Sequence, residues 1–97
     1  TALSTLHVDW LFLGVHGMSA ASGFTTPNLM ESETDRALVE AGHRLVVVAD
    51  STKWGTAGIS TIAELAEADV LVTDTGLDAQ ARAVLEGEIE QVLLAAP

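Results

Sequence analysis

Four short, largely apolar runs, separated by longer mixed segments, dominate the sequence. They are Trp10–Leu13, Leu45–Ala49, Val70–Thr73 and Gln91–Ala95. Short apolar runs that are bounded by glycine or polar residues are typical of buried strands. All of them are far shorter than the roughly 20 apolar residues that a membrane-spanning helix needs. The runs therefore predict four buried strands and no membrane span.

Two of the separating segments differ sharply in composition. Residues 15–27 are rich in glycine, serine and threonine, so this segment is expected to be a loop. Residues 28–41 place apolar residues at helical spacing and acidic residues near the start, which predicts a helix. Gly42 stands where a C-terminal cap of that helix belongs.

Two further helices are expected before the third and fourth strands. One starts near Thr61, whose spacing to Glu64 fits a capping box. The other covers residues 78–86, with Asp78 and Arg82 spaced for an ion pair. Alternating strands and helices predict an α/β fold that is Rossmann-like, with a parallel sheet and helices on both of its faces. The 97 residues are enough for one domain, over residues 1–97.

The charge balance limits the possible partners. The chain carries 14 acidic and 4 basic residues, a net charge of −10, so direct nucleic-acid binding by these residues is not expected. Lys53 is the only lysine, which leaves an anionic small molecule few cations to bind. The absence of cysteine excludes disulfides and thiolate metal sites and suits the cytoplasm, where we expect the protein to be.

Polar or glycine-rich residues follow directly after the first three apolar runs, and a parallel sheet gathers such strand ends along one edge. The most informative group is Asp50-Ser51-Thr52-Lys53. Ser51 and Thr52 offer hydroxyls, the turn offers backbone N–H groups for an anion, and Lys53 adds a compact positive charge that suits a phosphate. Asp50 can accept hydrogen bonds from sugar hydroxyls. The alternative is that Asp50 only caps the turn and that Lys53 is a solvated side chain.

Six other residues are candidates for the same ligand site, each with a structural alternative. The two aspartates that flank strands could accept hydrogen bonds from sugar hydroxyls or only form turns. The two glycines could let a ligand approach the backbone or only permit a turn. The two glutamates could reach the site or only stabilise the start of a helix. They are Asp9, Asp74, Gly14, Gly17, Glu31 and Glu33. The histidines lack metal-ligand spacing and no cofactor motif is present, so neither a metal nor a cofactor is expected.

Taken together, the strand ends resemble a known family. Asp9–Gly17 resembles the D-x-x-F-x-G-x-x-G opening of the effector-binding domain in DeoR-type transcriptional regulators. Thr25–Glu33 is similar to the T-x-x-x-x-x-E-x-E segment of that domain, Asp50–Gly55 to its D-S-S-K-F-G motif, and Thr73-Asp74 to its I-T-D strand end. The four motifs occur in the family's order along nearly the whole chain.

This resemblance implies a fold related to sugar-phosphate isomerases and glucosamine-phosphate deaminases. It implies a non-catalytic sensor, in a homo-oligomeric regulator, usually a repressor, that binds a phosphorylated sugar and thereby changes DNA binding by a separate winged helix-turn-helix. That region, and the first part of the sensor with a glycine-rich phosphate loop, are expected to precede Thr1. Two positions depart from the family: Trp54 replaces a phenylalanine, and Asp35 stands where a lysine is common. Only Arg36 of the family's basic pair is left, so the resemblance does not imply a phosphate contact from this helix.

Two other functions remain open at this point. An isomerase or deaminase needs a carboxylate base, for which Glu31, Glu33 and Asp74 are candidates, although no acid–base pair is evident from their spacing. A module for oligomerisation without a ligand could use exposed sheet edges and the apolar pair Leu93-Leu94.

Overall fold

The computed structural model describes residues 8–96, and among these the side chains of all but residues 8, 9, 42 and 43. In chain order its elements are β1 (Val8–Gly14), β2 (Gly17–Ser19), β3 (Gly23–Thr26), α1 (Leu29–Ala41), β4 (Gly42–Val48), β5 (Ser60–Ala63), β6 (Val70–Asp74), α2 (Ala79–Glu88) and β7 (Gln91–Ala95). Single-turn 3₁₀ helices lie at Ser51–Lys53 and Leu65–Glu67.

A four-stranded parallel sheet forms the centre of the fold, in the order β1-β4-β6-β7. Leu13 pairs with Val47, Val47 with Leu71, and Leu71 with Val92, so one row of apolar residues crosses the sheet. Leucine and β-branched residues fill such sheets because both faces of a parallel strand are usually buried. The four predicted strands and their parallel arrangement are confirmed.

A second, antiparallel sheet of three strands, β2-β3-β5, lies outside the predicted pattern. The expectations of a loop over residues 15–27 and of a helix from near Thr61 are therefore wrong. Phe24 and Ile62 are fully buried, and β-branched residues in so short a segment favour a strand over a helix. The capping box forms three residues later than predicted, between Glu64 and Glu67, at the start of the second 3₁₀ helix.

The other two predicted helices are present as α1 and α2, but their ends differ from the expected ones. Gly42 does not cap α1, because β4 begins at this residue. Asp78 does not pair with Arg82: its Oδ1 atom accepts a hydrogen bond from the Ala81 amide at 2.7 Å and so caps α2. The Arg82 guanidinium binds Glu86 instead, at 2.7 Å. No helix within residues 8–96 has the length and apolar character to cross a membrane.

The helices and the small sheet cover only one face of the parallel sheet. Val39 of α1, Phe24 of β3 and Leu85 of α2 all pack into the same core as Leu13 and Val47. On the opposite face four large apolar side chains are about half exposed or more: Trp10 (49%), Phe12 (69%), Val48 (49%) and Leu93 (45%). Right-handed crossovers that step across a sheet in one direction all fall on one side. The prediction of helices on both faces of the parallel sheet is therefore wrong for the part of the chain that the structure describes.

Candidate functional site

The carboxyl ends of the parallel strands lie side by side, as the sequence predicts. Gly14 at the end of β1 pairs with Val48 at the end of β4, and Val48 pairs with Val72 near the end of β6. The segment that begins at Asp50 and the strand end at Asp74 are therefore neighbours along one edge.

The Asp50 side chain organises the turn that follows β4. Its Oδ1 atom accepts a hydrogen bond from the Thr52 amide at 3.0 Å and another from the Thr52 hydroxyl. These bonds, with a smaller contribution from the ammonium of Lys53, hold the pKa of the Asp50 carboxyl below its ordinary value. The structural alternative for Asp50, a residue that caps the turn, is thus realised.

Asp74 joins this turn to the end of β6. Its Oδ2 atom accepts from the Ser51 amide at 2.9 Å, and its Oδ1 atom accepts from the Gly76 amide at 2.8 Å. Hydrogen bonds from the Ser51 hydroxyl, the Ser51 amide and the Gly76 amide lower the pKa of the Asp74 carboxyl. A side chain at position 76 would collide with Ser51 and Asp74. Gly76 was not predicted, although it follows Asp74 closely at a strand end.

The expected anion-binding cavity of free backbone N–H groups is not formed by this turn. The amides of Ser51 and Thr52 donate to the two carboxylates. The amides of Lys53 and Trp54 donate to the carbonyl oxygens of Asp50 and Ser51, at 3.1 and 3.2 Å. The Thr52 hydroxyl also donates to the Asp50 carboxylate. The Lys53 ammonium differs: among the described side chains, which exclude those of residues 8, 9, 42 and 43, no hydrogen bond or ion pair joins it to another group.

The glycines after β1 have unequal roles. A Cβ at Gly17 would overlap the carbonyl oxygen of Thr56, so this glycine permits the close approach of two backbone segments. A Cβ at Gly14 would meet only the Val48 carbonyl oxygen, at 3.9 Å. His16, between them, is exposed, and its Nδ1 atom lies 3.4 Å from the Thr26 hydroxyl.

The candidates on α1 divide by burial. Glu31 and Glu33 are exposed near the start of the helix, where Asn28 caps it by accepting from the amides of Met30 and Glu31. No described contact brings Glu33 to the strand ends. The Asp9 side chain lies outside the described residues.

Asp35, on the same helix, has only 8% of its surface exposed. Burial raises the pKa of the Asp35 carboxyl, Glu31 raises it further, and His16 opposes them. Sequence reasoning identified this residue only as a departure from a family pattern. The sequence carries no signal for its burial, because periodicity marks a buried helix face by apolar residues, and Ser32 and Asp35, which are both buried here, are polar. Among the residues that the structure describes, no cluster of three or more histidine or acidic side chains is arranged to hold a metal ion.

Comparison with known proteins decides the family. The family model described as the DeoR C terminal sensor domain matches residues 1–75. The chain belongs to the DeoR family of transcriptional regulators. The DeoR sensor match ends directly after Asp74, so it includes every motif at the strand ends, whereas α2 and β7 lie beyond it.

Curated DeoR-family relatives agree with this assignment. The chain is 40% identical over 78 residues to the HTH-type transcriptional regulator GlpR of Haloferax volcanii, which covers 80% of this chain and 31% of that protein. It is 33% identical over 86 residues to the putative aga operon transcriptional repressor of Escherichia coli O157:H7, and this match covers 89% of this chain and 31% of that protein. It is 33% identical over 72 residues to the HTH-type transcriptional repressor GlcR of Bacillus subtilis, and this match covers 74% of this chain and 28% of that protein. The matches span about a third of each relative's length.

Proposed function

We propose that this chain is the effector-sensing part of a DeoR-type regulator and that it binds a small phosphorylated sugar at the carboxyl edge of its parallel sheet. The observation that carries the proposal is the Lys53 ammonium. It is the only lysine in a chain of net charge −10, and it follows a strand end without an ion-pair partner among the side chains that the structure describes. A compact ammonium in such a place suits a phosphate.

The neighbouring carboxylates suit the sugar part of such a ligand. Asp50 and Asp74 are both kept ionised by the hydrogen bonds that they accept, and an ionised carboxylate has lone pairs for more than one donor. Sugar hydroxyls are donors of this kind. The backbone amides of residues 51–54 all donate within the protein, so they are not free to bind a phosphate. The proposal therefore assigns the other hydrogen-bond donors to the phosphate to polypeptide outside the described residues.

The same carboxylates are poor candidates for catalysis. A general base works best when its pKa lies near the operating pH, whereas the pKa values of Asp50 and Asp74 are lowered. This favours a sensor over an isomerase or deaminase. In the complete regulator we assign DNA binding to a separate helix-turn-helix region, because the negative charge of this chain opposes contact with a phosphate backbone. Assembly from several copies belongs to the same proposal.

Calorimetric titration of the complete polypeptide with a panel of triose, pentose and hexose phosphates tests the site. We expect Lys53→Ala to weaken the best-binding monophosphate by about 10- to 100-fold, because a hydrogen bond to a charged group is removed. The matched control is Arg82→Ala, which removes one positive charge from an ion pair on the exposed side of α2.

Equal affinity of wild type and Lys53→Ala, with melting temperatures unchanged, would overturn the assignment of Lys53. Failure of the wild type to bind any member of the panel would overturn the proposed ligand class. Conversion of a bound sugar phosphate into another compound would favour the enzyme.

A further inference from the structure

An open cavity of about 280 Å³ lies between the segment that follows β2, the end of the Asp50–Lys53 turn and the first part of α2. We call it the Trp54 cavity. Its lining residues are Ala20, Trp54, Asp78, Gln80, Ala81 and Val84. None of the residues that we assign to the Lys53 site lines it. Ligand pockets begin at a volume of about 300 Å³, so this cavity has room for a single small ring.

Trp54 gives the cavity a rigid aromatic wall. Its side chain is partly buried and packs against the hydrophobic core. Its backbone is fixed as well, because Trp54 forms a β-bridge with Met18, and the Gly55 amide donates to the Met18 carbonyl oxygen at 2.8 Å. Ala20 and Ala81 have small side chains, so they leave space beside the indole. A partly exposed indole that is held in place offers a ligand a flat apolar surface.

Two polar side chains supply hydrogen-bonding groups to the same cavity. The Oδ1 atom of Asp78 accepts from the Ala81 amide at 2.7 Å, which caps α2. A carboxylate has about four lone-pair positions, so this one bond leaves others to which ligand hydroxyls can donate. The exposed Gln80 side chain offers an acceptor oxygen and a donor NH₂ group. Such a lining matches a ring that is apolar on its faces and carries hydroxyl groups at its edge.

The charges at the Trp54 cavity favour an uncharged ligand. Of the lining residues only Asp78 is charged, so an anion there meets a like charge and no cation. A cation is disfavoured as well, because the cavity borders the amino-terminal end of α2, where the helix dipole is positive. A free sugar is therefore a better ligand for this cavity than a phosphorylated one.

We propose that the Trp54 cavity is a second ligand site, which binds the ring of an unphosphorylated monosaccharide. The sugar stacks its C–H face on the indole of Trp54, and its hydroxyl groups form hydrogen bonds with Asp78 and Gln80. This inference goes beyond the proposed function, because the Lys53 site takes a phosphate and the Trp54 cavity disfavours one. A regulator with both sites responds separately to a free sugar and to a phosphorylated sugar.

Fluorine NMR of the complete polypeptide, labelled with fluorotryptophan, tests the second site. The resonances of Trp54 and Trp10 are assigned by their loss in Trp54→Phe and Trp10→Phe. We expect an unphosphorylated pentose or hexose to shift the Trp54 resonance in a saturable manner. The resonance of Trp10, which lies on the uncovered face of the parallel sheet, should not move. The acyclic alditol of the same sugar has the hydroxyls but no ring, so it should bind about tenfold more weakly.

Three variants at exposed positions, which leave the core intact, make the result decisive. Gln80→Ala removes the amide, and we expect it to weaken sugar binding by about 3- to 10-fold. Ala20→Leu fills the cavity, and we expect it to abolish binding. Gln91→Ala is the matched control, because it removes the same side chain from β7, outside the cavity, and should leave the affinity unchanged.

Several outcomes would overturn the second site. One is the absence of a saturable shift of the Trp54 resonance with every sugar of the panel, and another is equal affinity of the wild type, Gln80→Ala and Ala20→Leu. Tighter binding of tetramethylammonium than of any sugar would overturn the assigned ligand class, as would equal binding of the alditol. These outcomes leave the Lys53 site standing, because that site is tested separately by the calorimetric comparison of wild type with Lys53→Ala.

Discussion

At the scale of single residues, the Asp50–Lys53 turn divides its roles among neighbouring side chains. Asp50 accepts from Thr52, and Asp74 accepts from Ser51, so these groups hold the conformation of the edge. The Lys53 ammonium has no such bond to any of the described side chains. The structural and the functional interpretation of this motif therefore do not compete, because they apply to different residues of the same turn.

Asp35 allows a test without any ligand, because its pKa couples to folding. Burial and Glu31 raise the pKa of Asp35, against the effect of His16. An acid whose pKa is higher in the folded state than in the unfolded state stabilises the fold only at low pH. As pH rises through the ordinary value of 3.8 and then through the raised value, the unfolded chain loses its proton first and the free energy of unfolding falls.

We therefore expect Asp35→Asn to melt at a higher temperature than the wild type at neutral pH, with a difference that shrinks as pH falls from the raised pKa towards 3.8. Thermal melts of the ligand-free protein across this range measure it, with Glu33→Gln as the exposed control. A melting difference that does not change with pH would contradict the assignment of a raised pKa to Asp35.

At the scale of elements, apolar runs predict the central strands well because burial on both faces leaves little choice of residue. The 60–63 segment is harder, because the spacing of Thr61 to Glu64 matches a helix cap. Its conformation is decided by pairing of β5 with β3 and by burial of Ile62, and both are contacts between residues distant in sequence. The candidate site divides in the same way. Its location at the strand ends follows from topology, whereas the occupancy of its amides depends on turn geometry that no spacing reveals.

Glu67 links two elements that the sequence did not connect. It accepts from Arg36 of α1 at 2.8 Å and from the Glu64 amide at 3.0 Å, and the Arg36 bond lowers the pKa of Glu67. A lowered folded pKa stabilises the fold above the unfolded value, and this stabilisation is lost as pH falls. We expect Glu67→Gln to lower the free energy of unfolding by about 1 kcal/mol at neutral pH and by less in acid.

Urea denaturation measures this loss, and Glu86→Gln provides the comparison. Glu86 pairs with Arg82 within one exposed helix, so its replacement should cost only about 0.3–0.5 kcal/mol. Equal losses for Glu67→Gln and Glu86→Gln would show that the contact between α1 and the 3₁₀ turn contributes nothing beyond a surface pair.

At the scale of the whole molecule, the described fold is one-sided. Its strands follow one another across the sheet in chain order, so every crossover, including α1 and α2, falls on the same face. The opposite face carries Trp10, Phe12, Val48 and Leu93 and belongs to no core within residues 8–96. Parallel sheets occur almost only with both faces covered, which makes this face the main departure from an ordinary α/β domain.

The two phenylalanines of the chain test this asymmetry directly, because they are the same residue type in opposite surroundings. Phe24 is fully buried between the sheets, whereas Phe12 is 69% exposed on the open face. In the 97-residue chain we expect Phe24→Ala to lower the free energy of unfolding by about 3–5 kcal/mol, since it leaves a cavity. Phe12→Ala should change it by no more than about 0.5 kcal/mol, as a surface substitution does. Urea denaturation with equal m-values for both variants makes the comparison valid. A loss at Phe12 as large as that at Phe24 would mean that the open face is covered in solution.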